Sequence, residues 1–226
     1  MSGYFITGTD TGVGKTVVTL AVMEKLKQQG LTVAGFKPVA SGCSRGVDGL
    51  RNSDAVQIMQ AGSCELPYSL VNPYAFEPPI APHLAAARSG EPIRIERIAS
   101  IYRQLEQRAE RVVMEGAGGW AVPLGDDAML PDVACRLGLT VILVVGLRLG
   151  CINHALLTAA AIRMSGLEFG GWIANQQQPE LDAMDDIVDA MQQRIDAPLV
   201  GVVPWRENPK PGEIAAYLEG FPEHDG

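Results

Sequence analysis

Residues 8–16, Gly-Thr-Asp-Thr-Gly-Val-Gly-Lys-Thr, combine closely spaced glycines with a lysine and a threonine. They follow a short apolar run and precede a helical pattern. In such a loop, the backbone N–H groups and the helix N-terminus point together at a bound polyphosphate. Lys15 would contact the β- and γ-phosphates, and the Thr16 hydroxyl would bind Mg²⁺. A glycine-rich turn that only caps a helix is the alternative, but the flanking strand and helix favour a nucleoside triphosphate site.

Lys37 and Glu115 stand at the ends of two other apolar runs. Pro38 restricts Lys37 to an extended conformation, which would hold its ammonium group in a defined place. With Lys15, it could neutralise charge on a transferring phosphoryl group and on an anionic acceptor. Glycines follow Glu115 and leave room for a ligand, so its carboxylate could be a second metal ligand. For Lys37 the alternative is a solvated lysine at a strand end.

Three further segments carry weaker signals. Asp54 either complements the dipole of a helix that Ser53 caps, or it binds Mg²⁺. Gly150 begins either an ordinary turn or another helix N-terminus that could hold a carboxylate. Asn175 follows a later apolar run, and its amide offers both a donor and an acceptor to a purine edge.

The elements that must position these residues alternate along the chain. Apolar runs predict strands near 3–7, 32–37, 111–115, 140–145, 169–174 and 199–203. Helical patterns lie near 15–29, 53–61, 80–89, 95–109, 152–165, 180–195 and 212–219. The alternation predicts an α/β fold, with an open, mainly parallel sheet, helices on both faces and a single domain over residues 1–226. Because ligands of such sheets bind at the carboxyl ends of the strands, we expect the residues above at one edge.

The composition excludes several classes of partner. Hydrophobic residues make up 47% of the chain, charged residues 19%, and the formal net charge is −8. No lysine–arginine cluster stands out, so we expect neither a nucleic acid nor a membrane surface as partner. No apolar stretch reaches membrane-spanning length, and a signal-peptide pattern is absent from the N-terminus.

The cysteines and histidines show neither disulfide nor metal-ligand spacing. The cysteines lie without a CxxC motif at Cys43, Cys64, Cys135 and Cys151. This pattern indicates reduced thiols, and we therefore expect a cytoplasmic protein. Packing or surface roles are predicted for the histidines, His83, His154 and His224.

Taken together, these segments resemble the dethiobiotin synthetases, ATP-dependent enzymes of biotin biosynthesis. The resemblance rests on GTDTGVGKT at 8–16, KPVASG at 37–42, RNSD at 51–54, VNPYAF at 71–76, MEGAGGW at 114–120, VILVVGLRLGCINHALLT at 141–158, GWIANQ at 171–176 and GVVPW at 201–205. It spans nearly the whole chain in order, and it implies a fold like that of the P-loop NTPases.

The family's reaction closes a cyclic urea on 7,8-diaminononanoate (7,8-diaminopelargonate). CO₂ adds to one amine to form a carbamate, which ATP phosphorylates to a carbamic-phosphoric anhydride. The second amine then attacks this anhydride, which gives dethiobiotin and phosphate beside the ADP already formed. The resemblance thus implies a Mg²⁺-dependent ligase with ATP as co-substrate.

The resemblance also assigns roles to matching positions. Thr16, Asp54 and Glu115 would hold Mg²⁺, while Lys15 and Lys37 are the expected catalytic residues. The expected ATP contacts are Gly12, Val13, Gly14, Lys15, Thr16, Val17, Asp54, Glu115, Gly116, Ala117, Gly118, Asn175, Gln176, Pro204, Trp205 and Arg206. The expected substrate contacts are Thr11, Lys37, Ser41, Gly118, Gly150, Cys151 and Asn153.

The implied assembly is a homodimer. In it, the turn from Gly150 to Asn153 of one subunit receives the carboxylate of the substrate bound to the other. Ile187 departs from the family pattern, since some members carry a tyrosine there that reaches this carboxylate.

Two alternatives share the nucleotide-binding core. A nucleotide-gated partitioning ATPase usually carries a signature lysine where this chain has Asp10, and often ends in a basic helix, whereas residues 213–226 are acidic. The loop also differs from the common GxxxxGK[ST] pattern, because Thr9 stands where that pattern has glycine. An amidating cobyrinate synthase would need an ammonia-generating domain, for which the chain is too short.

Overall fold

The computed structural model describes residues 3–221. His224 and the end of the acidic tail lie outside these residues. The strands within them are β1 Gly3–Gly8, β2 Val33–Phe36, β3 Val39–Ala40, β4 Ser44–Gly46, β5 Gly49–Arg51, β6 Tyr74–Ala75, β7 Arg111–Glu115, β8 Thr140–Leu147, β9 Phe169–Gln176 and β10 Leu199–Val203. The helices are α1 Lys15–Gln28, α2 Ser53–Ala61, α3 Tyr68–Val71, α4 Pro82–Ser89, α5 Ile95–Glu106, α6 Leu130–Leu137, α7 Cys151–Met164, α8 Met184–Gln192 and α9 Pro211–Ala215.

The central sheet has six strands in the order β10-β9-β8-β1-β7-β2, and all of its pairs are parallel. Strand β7 lies between β1 and β2, so the carboxyl ends of these three strands are neighbours. The glycine-rich loop, Glu115 and Lys37 follow or end these strands and therefore meet at one edge, as the alternation of elements predicts.

Helices cover both faces of this sheet. Successive residues of β1 point to opposite sides, so Phe5 packs into one core cluster and Ile6 into the other. Helices α1, α2 and α9 pack on the Ile6 side, whereas α4 to α8 pack on the Phe5 side. The predicted α/β class with an open parallel sheet is confirmed. The assignment of one domain to residues 1–226 stays a prediction.

The predicted central strands all form, but the sequence patterns missed several short elements. Helix α6, helix α3 and the small strand pairs β3–β6 and β4–β5 were not predicted. Elements of two to four residues are too short to show a hydrophobic period, and α6 begins in a segment rich in glycine, proline and aspartate. Helix α9 ends at Ala215 and α8 begins at Met184, so both are shorter than predicted.

The N-cap predicted for α2 is wrong. Ser53 is the first residue of the helix, and the side chain of Asn52 accepts the N–H of Ala55 at 3.1 Å. Asparagine is as good an N-cap as serine, so the local sequence alone could not decide between the two positions. The helix start is nevertheless where the pattern puts it, and Asp54 lies in its first turn.

Two further expectations concern membranes and thiols. Among residues 3–221, no helix combines the length and the apolar character needed to cross a bilayer. All four cysteines carry free thiols, with Cys43 and Cys151 buried.

Candidate active site

The glycine-rich loop between β1 and α1 has a backbone that only glycine adopts easily. Gly12 and Gly14 have φ angles of 73° and 88°. A Cβ atom on Gly14 would lie 2.1 Å from Nδ2 of Asn175. That Nδ2 group donates to the carbonyl of Val13 at 2.9 Å, and Asn175 is 7% exposed. The end of β9 therefore holds the loop in place.

Lys15 is the first residue of α1, directly after this loop, and no carboxylate of residues 3–221 forms a hydrogen bond with its ammonium. It is 7% exposed, and its Nζ donates to the backbone carbonyl of Asp10 at 2.8 Å. Burial lowers the pKa of Lys15 to about 8, although the carboxylate of Glu115 acts in the opposite direction and the charge of Lys37 adds to the decrease. A bound polyphosphate would supply the negative charge that this buried ammonium lacks.

Lys37 lies between two carboxylates at the ends of its neighbouring elements. Its Nζ donates to Oδ2 of Asp54 at 2.9 Å and to Oε1 of Glu115. The Thr16 hydroxyl donates to the same Glu115 oxygen at 3.1 Å. Burial acts to lower the pKa of Lys37, but the carboxylates of Glu115 and Asp54 outweigh it and raise the pKa above its ordinary value. Lys37 is therefore a cation in the folded protein.

Thr16, Lys37, Asp54 and Glu115 form one hydrogen-bonded cluster, and its oxygen atoms suit a magnesium ion. Glu115 is fully buried, and its Oε2 atom has no hydrogen-bond partner among the described residues. Carboxylate and hydroxyl oxygens, as on Glu115, Asp54 and Thr16, are ligands that Mg²⁺ prefers. Within residues 3–221, no group of three acidic, histidine or cysteine side chains could enclose a metal. A magnesium ion here would need other oxygens, such as those of phosphates and water, which is its usual coordination.

A cavity of about 580 Å³ opens beside this cluster. Lys37 and Asp54 form part of its wall, together with the predicted substrate residues Thr11, Ser41 and Gly118. Ala117, from the predicted nucleotide contacts, also lines it. Two segments of the wall were not predicted, residues 79–82 before and at the start of α4 and residues 121–123 after β7. For residues 79–82, the sequence signal was the group of prolines at positions 78, 79 and 82.

The turn from Gly150 to Asn153 does not line this cavity. Gly150 has a φ angle of 90° and precedes α7, Cys151 is buried, and Asn153 is exposed. The turn is nevertheless tied to the glycine-rich loop, because Nη2 of Arg148 donates to Oδ2 of Asp10 at 2.7 Å. Neither Asp10 nor Arg148 was predicted to form this contact.

The residues predicted to bind the nucleotide base lie at the ends of β9 and β10. Oε1 of Gln176 accepts the N–H of Trp205 at 3.2 Å, which joins the two strand ends. Arg206 is exposed, and its guanidinium donates to the hydroxyl of Tyr217 at 2.6 Å. A second cavity of about 350 Å³ lies nearby and is lined by Val17, Leu20, Gln57, Asn208, Pro209, Pro211 and Ile214.

Gly116, a predicted nucleotide contact, directly follows β7. One contact of the glycine-rich loop, that of Gln177 with Gly12, was not predicted. Gly116 packs against Phe5 and Leu130, and a Cβ atom there would lie 3.1 Å from each of them. Nε2 of Gln177 donates to the carbonyl of Gly12 at 2.5 Å. Only its position directly after Gln176 could have pointed to Gln177.

Comparison with known proteins gives closely similar sequences. The sequence profile of a family described as "AAA domain" matches residues 2–211. The ATP-dependent dethiobiotin synthetase of Aeromonas hydrophila is 44% identical over 223 residues, which cover 98% of this chain and 99% of that protein. The enzyme of the same name from Xanthomonas oryzae is 45% identical, with 96% of each chain covered. ATP-dependent dethiobiotin synthetase BioD 1 of Escherichia coli K12 is 45% identical, over 95% of this chain and 96% of that protein.

Solved structures show the same fold at much lower sequence identity. The septum site-determining protein MinD of Pyrococcus horikoshii, complexed with Mg-ADP, superposes with a TM-score of 0.55 at 17% identity, covering 98% of this chain and 87% of that chain. A ParA family ATPase from Chlorobium tepidum gives a TM-score of 0.54 at 10% identity, over 97% and 91% of the two chains. At these identities the likeness shows the P-loop NTPase-like fold alone.

Proposed function

Because the chain belongs to the family of ATP-dependent dethiobiotin synthetases, we propose that it closes the ureido ring of dethiobiotin at the 580 Å³ cavity. It is an ATP-dependent ligase of biotin biosynthesis. The substrates are 7,8-diaminononanoate, CO₂ and ATP, and the products are dethiobiotin, ADP and phosphate. The observation that carries the choice of site is Lys37, which lines the cavity and also contacts both carboxylates of the cluster.

The chemistry needs charge stabilisation and positioning, and it needs no side-chain nucleophile. An amine of the substrate adds to CO₂ and loses a proton, which leaves an anionic carbamate. A carbamate oxygen then attacks the γ-phosphorus of ATP, and the bond from that phosphorus to ADP breaks. The second amine attacks the carbamoyl carbon, phosphate leaves with the bonding electrons, and a proton is released. Holding both amines in one cavity makes this last step effectively intramolecular.

Lys37 and Lys15 offset the repulsion between two anions in this scheme. The carbamate and the triphosphate both carry negative charge, and they must approach to bonding distance. Lys37 is 5% exposed and Lys15 is 7% exposed, so their charges act through a medium of low dielectric. We assign the carbamate and the transferring phosphoryl group to Lys37, and the β- and γ-phosphates to Lys15.

We also propose that Thr16, Asp54 and Glu115 hold Mg²⁺. The unpartnered, buried Oε2 atom of Glu115 supports this assignment, since a buried carboxylate oxygen without a partner is costly. When bound, the ion would neutralise charge on the phosphates. The protein's part is to hold the three oxygen ligands together at the start of α1, the start of α2 and the end of β7.

For the nucleotide, we propose that the loop from Gly12 to Val17 and residues 116–118 bind the phosphates and ribose. The adenine would lie near Gln176 and residues 204–206. Because Nδ2 of Asn175 is bound to Val13, its Oδ1 atom is the one left to accept a hydrogen bond from the base. The carbonyl of Pro204 would be the second acceptor.

The homodimer stays a proposal, and an exposed apolar stripe on α7 supports it. Leu157 and Met164 are 65% and 88% exposed, and Leu149 in the preceding turn is 99% exposed. Ala160 and Asn153 lie on the same exposed face at helical spacing. A second copy packed there would cover the stripe and bring Gly150–Asn153 near another cavity. The cytoplasmic location also stays a prediction, in keeping with four free thiols.

The test of this function is ADP release with Mg-ATP, bicarbonate and 7,8-diaminononanoate, each omitted in turn. We expect release of ADP only when all three are present, together with formation of dethiobiotin detected by mass spectrometry. ADP release that does not depend on the diamine would show an ATPase of another function. Equal turnover after removal of CO₂ and bicarbonate would contradict the carbamate route.

A further inference from the structure

Two polar residues, Asn72 and Tyr68, link the backbone of Lys37 to the start of α2 by hydrogen bonds. Asn72 is 3% exposed, and its Nδ2 donates to the carbonyl of Lys37 at 2.6 Å and to the carbonyl of Tyr74 at 3.3 Å. Its Oδ1 accepts the hydroxyl of Tyr68 at 2.9 Å. The oxygen of the same hydroxyl accepts the backbone N–H of Asn52 at 2.8 Å. Both ends of the Asn72 amide therefore have partners.

Each end of this chain of hydrogen bonds leads to a charged group of the cluster. At one end, Lys37 carries the ammonium group. At the other, Asn52 caps α2 by accepting the N–H of Ala55 at 3.1 Å, and Asp54 lies in that first turn. The ammonium of Lys37 and Oδ2 of Asp54 are 2.9 Å apart. The contacts thus form a closed ring that runs from Lys37 through Asn72, Tyr68 and Asn52 to Asp54.

Neither Tyr68 nor Asn72 touches the space where the substrates would lie. Both are missing from the wall of the 580 Å³ cavity, and both line a separate depression whose wall does not include Lys37. The guanidinium of Arg51 covers the Tyr68 ring at 4.1 Å from its centroid. Among the described residues, their side-chain hydrogen bonds link them to each other and to Lys37, Asn52 and Tyr74, so we expect them to act on the reaction through Lys37 and Asn52.

We propose that Tyr68 and Asn72 are positioning residues, which set the place of the Lys37 ammonium relative to the Asp54 carboxylate. This inference rests on the proposed function of the same cluster. A phosphoryl transfer between two anions depends steeply on the position of the neutralising charges. Buried side-chain networks in which every partner is satisfied hold such positions more rigidly than single contacts do.

Tyr68→Phe is the mildest test, because it removes only the hydroxyl and keeps the ring under Arg51. The chain offers a matched control in Tyr74→Phe. The Tyr74 hydroxyl also accepts a backbone N–H, that of Arg94 at 2.9 Å, and Arg97 also covers its ring, at 4.6 Å from the centroid. Tyr74 is 1% exposed, and within residues 3–221 its hydroxyl bonds the Arg94 N–H and no residue of the cluster. Both variants lose a tyrosine hydroxyl that accepts a backbone N–H, but only Tyr68→Phe breaks the ring of contacts.

Three quantities should be measured for each variant: kcat, the KM for Mg-ATP and the melting temperature. We expect Tyr68→Phe to lower kcat roughly tenfold, because the phosphoryl-transfer geometry is relaxed. Its KM for Mg-ATP should stay within about twofold, since the glycine-rich loop is intact. Tyr74→Phe should lower the melting temperature while kcat stays near the wild-type value. An equal loss of kcat in both variants, or none in Tyr68→Phe, would overturn the inference.

A second readout does not need turnover. Mn²⁺ can replace Mg²⁺ and be followed by electron paramagnetic resonance while it is titrated into the protein with ADP. A displaced Asp54 should weaken Mn²⁺ binding several-fold in Tyr68→Phe and leave it unchanged in Tyr74→Phe. Unchanged affinity in both variants would contradict the positioning role. A wild-type protein without diamine-dependent turnover would contradict the proposed function, and this titration would still test the inference.

Asn72→Asp provides a second variant at the other member of the pair. The aspartate keeps an oxygen for the Tyr68 hydroxyl but replaces the donor to the Lys37 carbonyl with an acceptor. We therefore expect a larger loss of kcat than in Tyr68→Phe, and no further loss when Tyr68→Phe is added. Additive losses in the double variant would mean that the two residues act independently, against the proposed ring.

Discussion

At the scale of single residues, the two buried lysines differ in what neutralises them. Lys37 is held by the carboxylates of Asp54 and Glu115, whereas the Lys15 ammonium forms its hydrogen bond within the described residues with the backbone carbonyl of Asp10. Lys37 is therefore charged whether or not a ligand is present. Lys15 gains its full stabilisation only when an anion binds. This difference leads to separate predictions for the two residues.

Replacement of Lys37 by glutamine should abolish ring closure and preserve nucleotide binding. The glutamine amide is neutral, so the carbamate and the phosphoryl group would lose their nearest cation, and we expect kcat to fall at least about a hundredfold. The affinity for Mg-ATP, measured by calorimetry, should change by less than about tenfold, because the loop and Lys15 remain. Turnover near the wild-type rate would reduce Lys37 to a structural role.

The pKa of Lys15 predicts proton uptake on ATP binding. Burial holds this pKa at about 8 in the free protein, so part of the protein has a neutral Lys15 between pH 8 and 9. Bound phosphates favour the charged form and raise the pKa, and a proton must then be taken up. Calorimetry in two buffers of different ionisation enthalpy should show uptake at pH 8.5 that exceeds the uptake at pH 7.5. No difference between the two pH values would contradict the assignment of the phosphates to Lys15.

At the scale of elements, the strand–loop–helix unit of β1 and α1 depends on support from β9. The loop backbone needs a positive φ angle at Gly14, and Asn175 at the end of β9 fills the space beside it. A local motif is thus completed by a residue 162 positions away. The glycine at this position satisfies both the backbone conformation and the close contact.

Gly14→Ala tests these two requirements against a matched control. Gly30 also has a positive φ angle, 85° against 88° for Gly14, but a Cβ atom there would meet nothing within 4 Å. Gly30→Ala should lower the free energy of unfolding by about 1 to 2 kcal/mol, which is the cost of the left-handed conformation. Gly14→Ala should lower the free energy of unfolding by more than this, as measured by chemical denaturation. It should also abolish ATP binding, as measured by calorimetry. Equal losses in both variants would show that the contact with Asn175 has no energetic weight.

At the scale of the whole molecule, the cavity and the Gly150–Asn153 turn are separate within one chain. The cavity holds Lys37 and Asp54 but none of the turn residues. We propose that the amines of the substrate bind in the cavity and that its carboxylate binds at the turn. A dimer that covers the apolar stripe of α7 would bring a turn from one chain near the cavity of another.

Leu157→Lys should therefore dissociate the proposed dimer and lower activity. The added charge would have to be buried against a second copy, which costs several kcal/mol. Leu84→Lys is the control, since Leu84 is also an exposed leucine but lies on α4 and outside the stripe, with 47% of its surface exposed. Light scattering should give a monomer mass for Leu157→Lys and a dimer mass for Leu84→Lys. A monomeric wild-type protein that is fully active would contradict the proposed interface.

Features that depend on neighbours along the chain could be predicted from the sequence. The spacing from Gly8 to Thr16 predicts the loop because its hydrogen-bond donors come from consecutive backbone groups. The order of apolar runs predicts the parallel sheet, and with it the edge at which Lys37 and Glu115 meet. These features could be predicted because each depends on local conformation or on a general rule of strand connection.

Contacts between side chains that are distant along the chain could not be predicted and are seen only in the folded protein. The contacts of Asn175 with Val13 and of Arg148 with Asp10 join residues 162 and 138 positions apart. The ring through Asn72 and Tyr68, and the wall formed by residues 79–82, likewise depend on how the segments between β2 and β7 pack together. Such contacts follow from how whole elements pack, because many side chains could satisfy the same local pattern and packing selects among them.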